Sequence, residues 1–452
     1  MTDYDKLSKI DFLPELEALD LRGKARFIQS FLEESFLHPS GLFYSLLLID
    51  GPHHARPMGR ADMEGISDAQ VEGCAGAETS EAAKNEGMTF ENSITSAGNY
   101  LQAQAARFAA TADPAAYEQA KRGVNALRLV YDDGNRRGRA GWMGKPYGLL
   151  PKDHSTPDQY LDALLGLYRF RQIAAAAERA TVDEMLRAIA DFMTRRNYQI
   201  WDLNKPVDAL PWNLVEAYCN ATYVLAQALA FRVTREDTYR REALRLAGLS
   251  RWREESNLEV WRSQGQERVL VFERVCLGGY VLKAAGAIAE VLPELYGATP
   301  EARASTLRTL CERWWRFCQL GMDTDGYQHY WIDIDVRNGT WRPTGIRPIE
   351  NSPFPGTFGA YYSEVRWNDQ LYRIMTGALT VVEHCPELRD STLAWIRALM
   401  AKTNGRRLRW MVDLDGRQLK PDIRWMECML SSEAPFHYLT AYWRGRKRRW
   451  WE

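Results

Sequence analysis

Two loops hold the densest chemistry in the chain, and each runs into a stretch of helical periodicity. Residues 136–159, RRGRAGWMGKPYGLLPKDHSTPDQ, supply Arg137, Arg139, Trp142, Lys145, Tyr147, Asp153, His154 and Asp158. Residues 354–369, FPGTFGAYYSEVRWND, supply Tyr361, Tyr362, Glu364, Arg366, Trp367 and Asp369. Two carboxylates across one cavity can work as general acid and general base, provided burial or a neighbouring charge raises the pKa of one of them. Spacings of roughly 5–5.5 Å and 6.5–9.5 Å would separate retaining from inverting glycoside hydrolysis. A helix N-terminus adds free N–H groups and a positive end, which suit a carboxylate-bearing or polar ligand. The plain alternative for Asp158 is a helix N-cap, which would account for its residue type.

The two aspartates belong to a repeat. Asp158-Gln159-Tyr160 precedes Gly166-Leu167-Tyr168, and Asp369-Gln370-Leu371 precedes Gly377-Ala378-Leu379 at the same offset. Shared capping chemistry would produce this, and so would two equivalent positions around one ring. On the ring reading, Asp158 and Asp369 are the acid and base. His154 orients the substrate, and Arg139, Lys145, Tyr160, Gln159, Arg366 and Gln370 bind it. Trp142 and Trp367 offer flat faces for stacking on sugar C–H surfaces. Further candidates sit at other helix starts: Glu91, Asn92, Asn213, Glu216, Glu273, Arg274, Glu433 and His437.

These residues need a scaffold that gathers helix starts. Helical periodicity recurs from near Asp20, Asn92, Ala115, Asp158, Asp183, Asn213, Thr238, Val275, Ser305, Asp369, Ser391 and Glu433. Asp158, Asp183, Asn213 and Ser305 read as caps. Segments apolar nearly all round, such as LVEAYCNATYVLAQALAF, alternate with segments bearing a single apolar stripe, such as DEMLRAIADFMTRR. The first kind must be buried and the second must lie outside. Six inner helices alternating with six outer ones predict an all-α (α/α)6 toroid. It would be a single domain over residues 1–452, with a long polar loop at 51–90 and a hairpin and loop insertion near 327–360. The hairpin is signalled by alternation over residues 330–336 and a turn at Asn338-Gly339. Trp314 and Trp315, inside a charged helix, are expected in the core.

Composition narrows the function. Lys and Arg total 58 against 59 Asp and Glu, a net charge of −1, so nothing points to nucleic acid. The basic run at residues 444–449 is expected to be a solvated tail, with contact to an acidic surface or subunit as the alternative. The seven Cys have no zinc spacing, and Cys219, Cys276, Cys311 and Cys318 fall in apolar helical patterns, as reduced thiols would. His53, His54, Asp62 and Glu64 lack regular ligand spacing, and no phosphate-loop, dinucleotide or nucleophile-elbow motif is present, so no metal or cofactor is expected. No apolar stretch reaches about 18 residues, which predicts no membrane span. No signal peptide opens the given sequence, so a cytoplasmic protein is expected, although a trimmed secreted chain would read the same.

The alternating twelve-helix pattern resembles the six-hairpin glycosidase superfamily. Within it, Trp367-Asn368-Asp369-Gln370-Leu371-Tyr372 resembles the tryptophan–aspartate helix start of the unsaturated glucuronyl and rhamnogalacturonyl hydrolases. That resemblance implies that Asp369 protonates a vinyl ether and helps activate water. Gln370 replaces the second Asp of the family's pair, and Asp158-Gln159-Tyr160 matches equally well. The expectation is a glycoside hydrolase acting on an oligosaccharide or polysaccharide, uronic-acid-containing ones included. Two alternatives stand beside it. One is a polysaccharide lyase on the same toroid, with His154 or Tyr160 as base. The other is a non-catalytic sugar-binding or scaffold protein.

Overall fold

In a computed structural model of the chain the described residues are 2–59, 61–64, 88–146, 153–201, 203, 207, 212–272, 274–329, 331–343, 365–413 and 424–451. Tyr147, Glu273, Tyr361, Tyr362 and Glu364 lie outside them. Twelve helices carry the architecture. The outer set is α1 (Leu21–Ser35), α3 (Pro114–Arg136), α5 (Ala176–Arg195), α7 (Asp237–Ala247), α9 (Pro300–Cys318) and α11 (Arg389–Ala401). The inner set is α2 (Ser93–Thr111), α4 (Pro157–Arg171), α6 (Ala217–Thr234), α8 (Arg274–Val291), α10 (Asn368–His384) and α12 (Glu433–Arg448).

Burial sorts the two sets as their sequences require. Inner α6 is buried without interruption from Ala217 to Ala230. Outer α3 buries Ala116, Ala120, Val124, Leu127, Val130 and Tyr131 and leaves the other face to solvent. Each inner helix packs on the next, α2 on α4, α6, α8, α10 and α12 in turn, and α12 returns to α2, so the ring closes. The last inner–outer pair joins the two ends of the chain, α12 with α1. Lys24 on α1 ties the first outer helix to the last by donating to the carbonyls of Ala401, the final residue of α11, and Thr403 just beyond it, both at 2.6 Å.

The inner helices run parallel, with starts beside starts. Ser96 meets Ser432 at 2.7 Å, and Arg373 meets Glu433. Two pairs of inner helices approach through glycine. A Cβ on Gly166 of α4 would lie 2.6 Å from the Gly98 carbonyl of α2, and one on Gly377 of α10 would lie 2.7 Å from the Gly279 carbonyl of α8. The α2–α4 and α8–α10 contacts are thus equivalent across the ring. The expected Asp…Gly repeat is realised in this packing.

Short strands lead into three inner helices. Strand β3 (Arg268–Phe272) precedes α8, β6 (Val365–Trp367) precedes α10, and β8 (Met429–Ser431) precedes α12. The expected hairpin forms as β4 (Trp331–Asp335) and β5 (Thr340–Pro343), and β3 pairs antiparallel with β4 along its length. Strands β1 (Leu46–Gly51) and β2 (His54–Arg56) form a second hairpin where a polar loop was expected to begin, and β1 pairs with β8. Strand β7 (Met411–Asp413) pairs with β6.

Several local expectations need correction. Asp158 and Asp369 are not caps. The cap positions belong to Thr156 and Trp367, and each aspartate is the second residue of its helix. Helices α5 and α9 begin before Asp183 and Ser305, at Ala176 and Pro300, because their first turns are exposed and carry no apolar stripe. Asn213 lies in a separate turn before α6, whose cap is Glu216. Residues 444–449 are no tail: they end α12, and the buried Trp451 folds back to donate to the Tyr442 carbonyl at 2.9 Å. Trp314 and Trp315 are in the core, and Cys219, Cys311, Cys318, Cys385 and Cys428 are buried free thiols. No helix among the described residues is long and apolar enough to cross a membrane.

Candidate functional site

The helix-start end of the ring concentrates buried charge. Asp369, Arg373 and Thr376 recur on one face of α10, and Glu433 and His437 sit one turn apart on α12. Arg373 donates from Nη2 to Glu433 Oε2 at 2.5 Å, and its guanidinium lies 4.4 Å from the centre of the Tyr280 ring of α8. Tyr280 in turn stacks on Tyr218 of α6 with ring centres 6.3 Å apart.

His437 is held as a neutral imidazole with a defined tautomer. The Thr376 hydroxyl donates to the Arg373 carbonyl at 2.9 Å, so its lone pair is what remains for His437 Nδ1 at 3.3 Å. This contact favours the tautomer with the proton on Nδ1 and the lone pair on Nε2. Nε2 is buried without a hydrogen-bond partner, and Glu433 at 3.8 Å is beyond bonding distance. Burial, joined by the positive charge of Lys283, brings the imidazole down to about 4, although Glu433 pulls the other way.

The two carboxyls beside Arg373 are driven apart. Burial and the negative charge of Glu433 push Asp369 well above the usual carboxylate range, against weaker help from Ser431, Arg373 and Trp367. Burial acts upward on Glu433 too, but the charge and hydrogen bond of Arg373 lead the opposing causes that bring that carboxyl to about 2. Asp369 is thus the protonated member and Glu433 the ionised one, the arrangement that gives neighbouring carboxyls different roles. Asp369 Oδ1 and the Tyr280 hydroxyl are also buried without hydrogen-bond partners.

Glu91, before α2, and Asp158, on α4, extend the same polar end. Glu91 is ion-paired with Lys145, yet burial raises it, and the negative charges of Asp158 and Glu433 add to the effect. Asp158 is half-buried, and its field reaches Tyr218 and Tyr280 as well as Glu91. All six inner helices, or the turns that lead into them, therefore contribute to one polar end.

The remaining expected residues divide between lip and wall. His154 is half-buried near Trp201, with ring centres 6.4 Å apart, and its carbonyl accepts from Lys145 N at 2.9 Å. Trp142 is 1% exposed and packs on Tyr160 and Phe192, so its faces are already covered. Tyr160 is buried and its hydroxyl accepts from Met143 N at 2.9 Å; burial outweighs that bond and raises its pKa, which keeps it a protonated phenol rather than a base. Gln159 ties α4 to the start of α2 by donating to Asn92 Oδ1 at 2.5 Å and accepting from Thr95 N at 3.2 Å. Gln370 is buried with Nε2 unpaired. Arg139 pairs with Asp153, and Arg366 pairs with Asp323 at 2.8 Å over the Tyr327 ring. Trp367 is half-buried and meets Trp410 edge-on at 6.4 Å. Asn213 is taken up by Tyr198 and Tyr223.

Arg373, Tyr218 and Tyr280 were not among the sequence candidates. Their signal was present: an arginine four residues beyond Asp369 on a helix otherwise buried all round must find a partner inside. Near the other suspected cluster, His54 contacts Asp50, His53 contacts Glu15 and Asp62 contacts Arg56. No group of three or more His, Cys, Asp or Glu among the described residues is placed to hold a metal.

No family model matches the chain, and no curated protein is similar to it at a significant level. Solved structures do share its fold. Cellobiose 2-epimerase from Bacillus thermoamylovorans B4167 superposes with a TM-score of 0.53 at 10% identity, over 94% of this chain and 99% of that one. A D-mannose isomerase superposes with a TM-score of 0.55 at 11% identity, over 95% of this chain and 97% of the other. Identities this low establish the toroid and leave the chemistry to the site.

Proposed function

We propose that the chain is a carbohydrate-modifying enzyme that moves protons on a sugar at the helix-start end of the toroid. One observation carries this reading. A carboxyl kept protonated, Asp369, and an imidazole kept neutral, His437, flank the Arg373–Glu433 pair, and each presents a buried atom with no hydrogen-bond partner. An unpaired buried polar atom costs about 1–3 kcal/mol, so its retention suggests a partner supplied by a ligand. In this reading His437 Nε2 takes the proton from the carbon beside an open-chain sugar's carbonyl. Asp369 gives a proton to the carbonyl oxygen, and Arg373 offsets the negative charge that develops on that oxygen before the proton arrives and on the Asp369 carboxylate afterwards. From the resulting enediol, delivery of a proton to the opposite face of the same carbon, with the first hydroxyl's proton passing back to Asp369, inverts that carbon; delivery by His437 to the former carbonyl carbon, with the neighbouring hydroxyl's proton passing to Asp369, isomerises the sugar. The names of the two structural neighbours, an epimerase and an isomerase, agree with this chemistry.

Glycoside hydrolysis is the second reading, favoured by the placing of Asp158 and Asp369 at the same end. Incubation with cellobiose, D-mannose and a panel of uronide oligosaccharides in deuterium oxide separates the two. Deuterium entering beside the carbonyl, with a new epimer or ketose, supports proton transfer. Release of reducing ends without exchange supports hydrolysis. Neither outcome across the panel would sink the enzyme assignment.

A further inference from the structure

The inner helices also end together, and a cavity of about 160 Å³ lies between their C-terminal turns. It differs from the helix-start end in charge, and its floor reaches Thr376 and Lys283, which also border His437. Five cations line it, Arg169 from α4, Lys283 from α8 and Arg444, Lys447 and Arg448 from α12, against two carboxylates, Glu290 from α8 and Glu383 from α10; Asp162 behind the wall neutralises Lys283, which leaves an excess of two. The carboxylates are already engaged. Glu290 takes both Nη atoms of Arg169 at 2.7 Å, while Glu383 lies 3.1 Å from Arg444 and 3.4 Å from Arg448. Lys447 makes no ion pair among the described residues.

Helix dipoles explain part of this excess. The C-terminal end of a helix carries about half a negative charge, and cations in its last turn are stabilising. That effect needs the cations near their own helix end, with side chains free to extend into water. Here three from one last turn converge with Arg169 on a concave wall, and the fourth basic residue of that turn, Arg446, faces a different groove. Lys447 is exposed at the mouth, yet partial burial and the nearby charges of Arg169 and Arg448 make it harder for it to keep its proton.

We propose that this cavity is a second site, binding a small oxyanion of the phosphate or phosphate-ester class through Lys447, Arg448 and Arg444. The excess of two positive charges matches a phosphate group, which carries about −1.5 to −2 near neutral pH. Guanidinium forks suit its oxygens. Deeper in, Gln102, Thr380 and Thr440 offer amide and hydroxyl groups to a hydroxylated substituent. A concave wall favours a small anion over the surface of an acidic protein. The three cations take no part in the proton-transfer reading.

Calorimetric titration of the full chain at low salt, with inorganic phosphate and separately with a hexose phosphate, tests this. The expected result is saturable binding that weakens by roughly tenfold or more in Lys447→Ala and in Arg448→Ala and is unchanged in Asp369→Asn. Both substituted side chains are exposed at the mouth, so their loss leaves the core intact. Tighter binding of the hexose phosphate would assign the polar wall to a sugar moiety, and equal binding would assign the site to phosphate itself. No saturable binding of either probe overturns the proposal, and so does affinity unchanged in both Ala variants. Loss of binding in Asp369→Asn would place the anion at the other end, and association with acidic proteins alone would make this face a protein contact. Either result also overturns it.

Discussion

Lys283 and Asp162 form a buried ion pair that joins α8 to α4, two inner helices that are not neighbours in the ring. Asn99 of α2 donates to the same carboxylate at 3.1 Å and is itself held by Gln102 at 3.1 Å. Breaking a buried pair from one side leaves an uncompensated charge and costs about 3–5 kcal/mol, whereas replacing both partners with apolar groups is often close to neutral. Lys283→Met is therefore expected to lose about 3–5 kcal/mol in denaturant unfolding. Adding Asp162→Leu should recover most of that loss. A single variant as stable as wild type would show that the pair does not brace the ring.

The glycine contacts make a paired prediction. A methyl at Gly166 or Gly377 would meet the backbone of the facing helix, which cannot rotate away as a side chain can. Gly166→Ala and Gly377→Ala are each expected to destabilise by about 1–3 kcal/mol, as for overpacked cores. Thermal unfolding would check this, and clearly unequal losses would argue against the equivalence of the α2–α4 and α8–α10 contacts.

That repeat also shows how far sequence reading reaches here. The offset from Asp158 to Gly166 and from Asp369 to Gly377 was legible, and it does mark equivalent ring positions. Its structural meaning lies in the glycines, because backbone contact between helices is a tertiary fact that leaves no local periodicity. The toroid itself was legible because inner helices are buried on every side and outer ones on a single stripe. Asp369, Glu433 and His437 were found because they sit at helix starts. Arg373 and Tyr280 were missed because they lie deeper in their helices, where the pattern reads as core. The β3–β4 pairing was missed for a related reason: its partners are far apart in sequence, and residues 268–272 end immediately before a helix.

Acid should weaken the fold through His437 and Glu433. His437 stands near 4 when folded against about 6.5 in an unfolded chain. Between those values the unfolded chain binds a proton that the native one refuses, so stability falls as pH falls through that window. Glu433, near 2 when folded against 4.5, contributes stability that is present above about pH 4.5 and lost as pH drops toward 2. Both act in the same direction. His437→Gln should flatten the decline between about pH 6.5 and 4 by roughly 1–3 kcal/mol, read from unfolding at a series of pH values. A decline of unchanged steepness would mean that His437 is not the group refusing the proton.

Asp369 carries the opposite sign. Its raised pKa lets the native state keep a proton that the unfolded chain releases above its ordinary value near 3.8. Stability therefore drops as pH rises through the folded value, and Asn, which cannot ionise, removes that penalty. Asp369→Asn is expected to be at least as stable as wild type in mildly alkaline buffer while losing about 10²–10⁴-fold in turnover, the span of a general acid. Asp158→Asn separates the chemistries. Proton transfer by His437 and Asp369 should survive it with a much smaller loss, because Asp158 takes no proton in that scheme. Hydrolysis by paired carboxylates should fall as far as in Asp369→Asn. Steady-state rates of the two variants on one substrate decide between them, and full activity in both would remove each aspartate from the mechanism.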